Sequence, residues 1–534
     1  MFDLLIRGAK VLDGTGNPGY FADVGVIDDK ISFVGKCDRT VKSVIEIDGK
    51  GYCLSPGFID SHAHDERCVF FDNRIFNKLS QGVTTTISGN CGTNIVPCSE
   101  MHFEELRQTN TVGIPERMNE FTSFRRFLDI VDEQKTAINV GFLAAHNAIR
   151  IAVMGLENRH ATADEIKHME EYLKEALDSG ALGLSAGLFY PPGGIAHIDE
   201  LVALCRIVAD YGRIFAIHIR DEASQLVESV EEAIELGRRS GVFVNISHHK
   251  AMGQPNWGKV KQTLRMIDDA NKNGIEIGFD QYPYNAASAP LRGVLPPSYL
   301  RSDWPTLVAN LRRPEFREKA KADILAGSEI WDNYIVSVGF DRMLVMTAVA
   351  SPDAVGKTIS EYAEMKGIDP FDAIFEILAD NELVAVGVYF SISDVDIEEV
   401  MKNPYGMFGS DGIYPPSPLR AHPRVKGTFP RILGRYVRDK GILRIEEAIR
   451  KMTSLPAQRF GLQKKGLIKQ GFDADLVIFD SKTIIDCADF VHDCYAPNIG
   501  LAYVIVNGKI AFNNNQYTGT QSGKVIRAIY SADS

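Results

Sequence analysis

The chain of 534 residues is 45% hydrophobic and 24% charged, ordinary values for a folded globular protein, which excludes wholesale disorder. Its net charge of -12 is spread along the sequence and argues against nonspecific nucleic-acid binding. No apolar run reaches the ~18 residues of a membrane span, "MFDLLIRGAK" lacks a signal-peptide pattern, and eight cysteines without regular spacing read as reduced thiols. These features predict a soluble cytoplasmic protein.

The first 50 residues alternate in "DLLIRGAKVLDG", "ADVGVIDDKISFVG" and "SVIEIDGKG", with turn residues between, which favours antiparallel β structure. The same texture returns in "ADLVIFD" and "AYVIVNGKIAFNNNQYTG". Neither piece is long enough alone, so residues 1–55 and 461–534 are expected to share one small β-sandwich domain.

Residues 56–460 repeat a different unit, a short apolar run followed by an amphipathic helix. The runs are "CLSPGFIDSHAH", "GVTTTISGNCG", "NVGFLAAHN", "ALGLSAGLFY", "IFAIHIRDE", "VFVNISHHK", "IEIGFDQYPY" and "GMFGSDG". Between them, "TADEIKHMEEYLKEALDSG" places Ile166, Met169, Leu173 and Leu177 on one face. Thr162 and Glu165 form a capping-box pattern, and Gly180 stands at the C-terminal cap position. Eight strands alternating with helices imply a parallel sheet closed as a TIM-like (β/α)8 barrel. The stretch from about 290 to 351 breaks the rhythm and reads as a helical insertion over the barrel mouth.

Chemistry in such a barrel sits at the carboxyl ends of the strands. Strand 1 ends in His62 and His64, strand 2 in Cys91, strand 5 in His218, strand 6 in His248 and strand 8 in Asp411. In an extended chain His62 and His64 share one face, roughly 7 Å apart. Imidazole, thiolate and carboxylate are the donor set of Zn²⁺. His249 alternates away and is assigned to the helix layer. His146, at the end of strand 3, reads as a ligand, a substrate contact or a packed side chain, and is kept as a substrate-side candidate.

These residues carry a resemblance. "PGFIDSHAHDE", "SGNCG", "GLFYPPG", "ISHHKAMGQPNWG", "QYPYNAAS", "GSDG" with "HPRVKGTFPRILG", and "GFDADLVIFD" follow one another along nearly the whole chain. Together they resemble the amidohydrolase superfamily, and within it the D-aminoacylase (N-acyl-D-amino-acid deacylase) family. The resemblance implies hydrolysis of N-acyl-D-amino acids to a carboxylate and a free D-amino acid. It implies one tightly held Zn²⁺ on Cys91, His218 and His248, with a weaker second site on His62 and His64 that Cys91 can bridge. It makes Asp411 the catalytic carboxylate, and makes Tyr190, Lys250, Tyr282, Ser288 and Arg424 the substrate-binding set. Strand 4, "ALGLSAGL", departs from the hydantoinase and dihydroorotase branches, since it offers no lysine to be carboxylated between two metals. A symmetric binuclear centre is therefore not expected.

Alternatives remain open from sequence. A cyclic amide or dipeptide would suit a sister enzyme, and a metal-free relative would serve as a scaffold. Arg424 reads as a carboxylate ligand or as a surface salt bridge. Arg292 reads as the recognition group for an acidic side chain or, slightly favoured, as a solvated residue at the foot of the insertion. The expected partner is a small-molecule substrate, with no nucleic acid and no membrane; the oligomeric state is not legible.

Overall fold

Eight short strands run parallel around one axis, in the order in which they occur in the chain. In the computed structural model, which describes residues 1–109, 114–300, 303–327, 331–416 and 419–528, they are β1 (Phe58–Asp60), β2 (Val83–Ser88), β3 (Asn139–Phe142, continued at Ala144–Ala145), β4 (Gly183–Gly187), β5 (Ile214–His218), β6 (Phe243–Ile246), β7 (Ile277–Gln281) and β8 (Gly406–Phe408). Neighbours pair in sequence from β1 to β3 and from the second part of β3 to β8. A parallel bridge between Ala63 and Gly412 brings the end of β8 back to the end of β1. Nearly every strand residue is buried, as a sheet covered on its outer face by helices and filled on its inner face requires. The helix Ala163–Ser179 begins with the expected capping box of Thr162 and Glu165 and ends at Gly180, whose φ is 108°. Its buried face includes Met169, Leu173 and Leu177.

Both chain ends enter one nine-stranded sheet, as expected of the β domain. They meet where Leu476–Phe479 lies antiparallel to Cys53–Pro56. The apolar layer of this sheet draws Leu4, Ile6 and Val24 from the start of the chain and Leu476, Ile478 and Ile505 from its end. One pairing departs from the antiparallel expectation: Ser43–Asp48 runs parallel to Phe2–Val11. Beyond the sheet, Val525–Ile526 crosses to the barrel and pairs with Val140 and Gly141 of β3.

The excursion expected at 290–351 is larger than its helical pattern suggested. Ala287–Pro290, Met343–Thr347 and Val386–Tyr389 form a three-stranded antiparallel sheet. Over it lie the helices Trp304–Leu311, Pro314–Ala326, Ile359–Lys366 and Pro370–Asp380, with a core of their own around Leu291, Leu307, Ile324, Phe375 and Tyr389. Positions 301–302 and 328–330 of the expected insertion lie outside the described residues. The unit reaches the barrel rim, where Asp332 accepts from the Glu222 backbone N–H (3.2 Å). No helix among the described residues is long and apolar enough to cross a membrane.

Candidate metal and substrate site

The polar ends of β1, β2, β5, β6 and β8 converge on the thiol of Cys91. Its Sγ lies 3.4 Å from His62 Nε2 and 3.3 Å from His248 Nε2. His248 Nε2 is in turn 2.9 Å from His218 Nδ1. Asp411 Oδ1 stands 3.5 Å from His62 Nε2 and 3.2 Å from His64 Nε2. One donor atom from each of His62, Cys91, His248 and Asp411 falls within 4.8 Å of the others, and all four residues are buried. Donors bound at about 2.0–2.3 Å around a tetrahedral Zn²⁺ are separated by roughly 3.3–3.8 Å, so these spacings fit a metal. His218, Glu222 and His248 make an adjoining group. The tightest cluster therefore takes His62 and Asp411 together with Cys91 and His248. The expected set of Cys91, His218 and His248 is joined to it through the short contact between the two histidines.

The electrostatics ionise the thiol and the carboxylate, and leave His64 holding a proton. Burial alone would push the Cys91 thiol up; His62 and His248 beside it hold it well below a free thiol, in the thiolate form that ligates. Burial works against charge on His64, yet Asp411 and Cys91 lift it to about 9, a proton that a bound cation would displace. Burial likewise opposes ionisation of Asp411, and Arg424 and His248 override it, leaving the carboxyl well below its usual range.

Two acidic residues that sequence reasoning missed stand behind the donors. Asp280, at the end of β7, places Oδ1 2.9 Å from His62 Nδ1 and accepts from the His248 backbone N–H (2.7 Å). It thereby turns His62 Nε2 toward the thiol, the role that a carboxylate behind a ligating histidine plays. Glu222 Oε1 lies 2.9 Å from His248 Nδ1 and 2.5 Å from Lys250 Nζ. The signal for both was present: each is an acid at or just past the end of a buried strand, the same position that drew attention to the histidines.

The backbone around the donors is unusual for side-chain-bearing residues. Cys91, His248 and Asp411 all have positive φ, at 54°, 37° and 48°, conformations that cost of order 1–3 kcal/mol each and persist where surrounding structure enforces them. Next to Cys91, Gly92 has no room for a side chain, since a Cβ there would lie 2.3 Å from Asn147 Oδ1 and 2.6 Å from Gly187 N.

The substrate-side candidates divide. Arg424 is buried, against the surface alternative; its Nη1 is 2.7 Å from Asp411 Oδ2 and its guanidinium lies 4.6 Å from the Tyr282 ring centre. Lys250 Nζ sits 5.7 Å from the same ring. Between these cations the Tyr282 hydroxyl is buried with no hydrogen-bond partner among the described residues. The Tyr190 ring packs 4.9 Å from that of His218, its backbone carbonyl held by Asn147 Nδ2 (3.3 Å), and burial pushes its hydroxyl up so that it stays a donor. Ser288 is half-buried on the excursion's sheet, in register with Val388. His146 is not at the site: its Nε2 binds Glu200 Oε1 (2.8 Å), and Arg150 completes that buried cluster. His249 turns into the helix layer as expected, with Nε2 2.9 Å from Thr263 Oγ1. Arg292 corrects the solvated reading. It is half-buried, lies 4.7 Å from the Trp304 ring centre and donates to Leu383 O (3.1 Å). Burial lowers it to about 10, with Tyr190 and Tyr389 as the phenols beside it, and among the described residues no carboxylate pairs with it.

A parallel barrel with thiol, imidazoles and carboxylate gathered at its carboxyl rim is a metal-binding barrel of the hydrolytic type. The sequence pattern of the Amidohydrolase family matches residues 46–275 and 342–512. A D-aminoacylase of Alcaligenes xylosoxydans xylosoxydans is 34% identical over 530 residues, spanning 98% of this chain and 97% of the relative. A D-aminoacylase structure superposes with a TM-score of 0.82 at 34% identity, over 99% of this chain and 100% of the other. That D-aminoacylase has a binuclear metal centre, with one-metal activation and second-metal attenuation. The N-acyl-D-glutamate deacylase of Bordetella bronchiseptica, solved with zinc and a phosphonate mimic of the tetrahedral intermediate, gives a TM-score of 0.83 at 32% identity, over 99% and 100% of the two chains. The chain belongs to the amidohydrolase family.

Proposed function

We propose that this protein hydrolyses the amide bond of N-acyl-D-amino acids, releasing a carboxylate and a free D-amino acid, with Zn²⁺ held at the Cys91 cluster. The observation that carries the reading is the convergence of His62, Cys91, His248 and Asp411 donor atoms within 4.8 Å at the strand ends. Similarity to the D-aminoacylase and the D-glutamate deacylase supports the substrate class and its hand.

Cys91, His248 and His218 are assigned to the principal zinc, and His62 and His64 to a second, weaker position reached through the same thiol. Zinc, when bound, supplies an activated water and a Lewis acid for the acyl oxygen. The chain's own residues do the rest. Asp411, ionised and with Oδ1 facing the histidines, accepts the proton of the attacking water and returns it to the departing nitrogen. Arg424 pins Oδ2 of that carboxylate, so only Oδ1 is left to move the proton. Tyr190, kept protonated by burial, donates to the developing oxyanion. Arg424, Lys250 and the unpartnered Tyr282 hydroxyl flank one ring and together receive the substrate α-carboxylate, with guanidinium for paired bonds and ammonium as a point charge. Ser288, at the edge of the excursion, is assigned to the same carboxylate.

Arg292 extends the reading to the side chain. A half-buried guanidinium beside Tyr190, with no carboxylate partner among the described residues, fits an acidic substrate side chain. A panel of N-acetyl-D- and N-acetyl-L-amino acids, run with metal analysis, tests both parts. The D-glutamate and D-aspartate derivatives should be cleaved fastest, L isomers negligibly, and the protein should contain zinc. Equal cleavage of both hands would remove the stereochemical assignment, and preference for D-leucine over D-glutamate would remove the role of Arg292.

A further inference from the structure

Below the metal cluster lies a lysine that none of the proposed chemistry uses. Lys78, on the short helix Phe76–Leu79 between β1 and β2, has no solvent exposure. Its Nζ is 2.6 Å from Asp60 Oδ2 at the end of β1, 3.5 Å from Asp65 Oδ2, and donates to Ser410 Oγ just past β8. The first and last strands of the barrel are thus joined by one buried ammonium. An isolated charge in such a place is expensive, whereas one shared between two carboxylates and a hydroxyl is held firmly in position.

Ser410 is the residue before Asp411, and that turn is tied to the β1 end through several backbone bonds. The Ser410 N–H donates to Asp60 Oδ1 (2.8 Å), the Asp411 N–H to His62 O (2.7 Å), and the Gly412 N–H to Ser410 Oγ (3.0 Å). The His64 N–H returns a bond to Gly412 O (3.1 Å). Asp411 itself is in the left-handed region at φ 48°, which a residue with a side chain does not hold unaided. The geometry points to Lys78 as a positioning residue for Asp411: through Asp60 and Ser410 it fixes the turn that aims the Asp411 carboxylate at the two histidines and at Arg424.

This inference rests on the proposed role of Asp411 in amide hydrolysis, so its test needs a readout that survives failure of that role. Two variants are compared with the holoenzyme, Lys78→Met and the milder Ser410→Ala, which leaves the ion pair of Lys78 with Asp60 intact. Circular dichroism fixes a temperature at which each variant is folded, and zinc content is measured alongside kinetics. A displacement of the carboxylate by about 1 Å is worth on the order of 10²-fold in rate. The expectation is therefore kcat lower by ~10²-fold in Lys78→Met and ~10-fold in Ser410→Ala, with KM and zinc content within about threefold of wild type. A merely structural lysine would lower the melting temperature and leave kcat of the folded fraction unchanged, which would overturn the inference. Crystal structures of zinc-loaded wild type, Lys78→Met and Ser410→Ala decide the matter independently of turnover. An Asp411 carboxylate that moves off His64 and Arg424 supports it, and one that stays in place overturns it. If wild type cleaves no N-acyl amino acid, the functional reading fails while these structures still answer for Lys78.

Discussion

Asp411 concentrates the chemistry in one side chain. Its Oδ2 is bound by Arg424 and its Oδ1 faces His62 and His64, so replacing the carboxylate by an amide removes the proton acceptor while keeping the shape. Asp411→Asn is expected to lose ~10³-fold or more in kcat, within the ~10²–10⁴ that a positioned acid–base group contributes. Zinc should be retained, because Cys91, His218 and His248 are untouched; steady-state kinetics with metal analysis checks both halves. Far from the site, Lys451 carries a different kind of charge problem. It is buried, with its Nζ on the backbone carbonyls of Met401 (2.9 Å) and Asn403, and burial lowers it to about 7. A free lysine titrates near 10.4, so between about pH 7 and 10.4 the unfolded chain binds a proton that the folded chain does not. Stability from this group must rise with pH across that window, and its penalty is constant below pH 7. Lys451→Met should therefore melt higher than wild type at pH 7, with the gap closing toward pH 10. A gap that widens with pH would reverse the assignment.

Among the elements, the strand at Val525–Ile526 shows how the chain end supports a barrel it does not belong to. The Val140 N–H donates to Lys524 O (3.0 Å), the Gly523 N–H to Thr136 O (2.9 Å), and the Lys524 N–H to Asn139 Oδ1 (3.1 Å). All lie at the start of β3, away from the carboxyl rim. A chain ending at Ser522 should lose at least roughly 3 kcal/mol, at about 1 kcal/mol for each of these three bonds, read as a lower urea midpoint, while kcat at low temperature stays unchanged. That strand also marks a limit of what the sequence discloses. The barrel runs were legible because each is apolar, short and ends in chemistry, and the helix from Ala163 was legible because its cap and face both have periodic signatures. The pairing of Val525–Ile526 with β3, like the parallel register of Ser43–Asp48 against Phe2–Val11, has no local signature, since alternation states that a strand exists and not which neighbour it takes. The excursion was undersized for the same reason: its helical polar stretch was visible, whereas the strand Val386–Tyr389, which pairs back to it, lies beyond the bound drawn at 351. At the site, the donors could be read off strand ends. Asp280 and Glu222 stood in equivalent places and were passed over because an acid there, unlike a histidine, is common. The left-handed backbone at Cys91, His248 and Asp411 cannot be read from the sequence, because positive φ is uncommon for any residue but glycine, even for His and Asp, which are enriched there.

At the scale of the whole molecule, the donors bring together the ends of five strands far apart in the chain. Cys91 follows β2, His62 and His64 follow β1, His218 ends β5, His248 follows β6 and Asp411 follows β8, so a single cation would staple most of the rim. A ligand that binds the folded chain alone stabilises it by RT ln(1 + [L]/Kd), about 4 kcal/mol at a thousandfold excess over Kd. Exhaustive chelation should accordingly abolish activity and lower the melting temperature by several degrees, and added zinc should restore both. Cys91→Ser separates this linkage from nonspecific effects of the chelator. Without the thiolate hub the variant should melt near the chelated wild type, and zinc should raise its melting temperature far less. If chelation left the wild-type melting temperature and turnover unchanged, the convergence at Cys91 would be a packing arrangement of buried polar groups and not a metal centre.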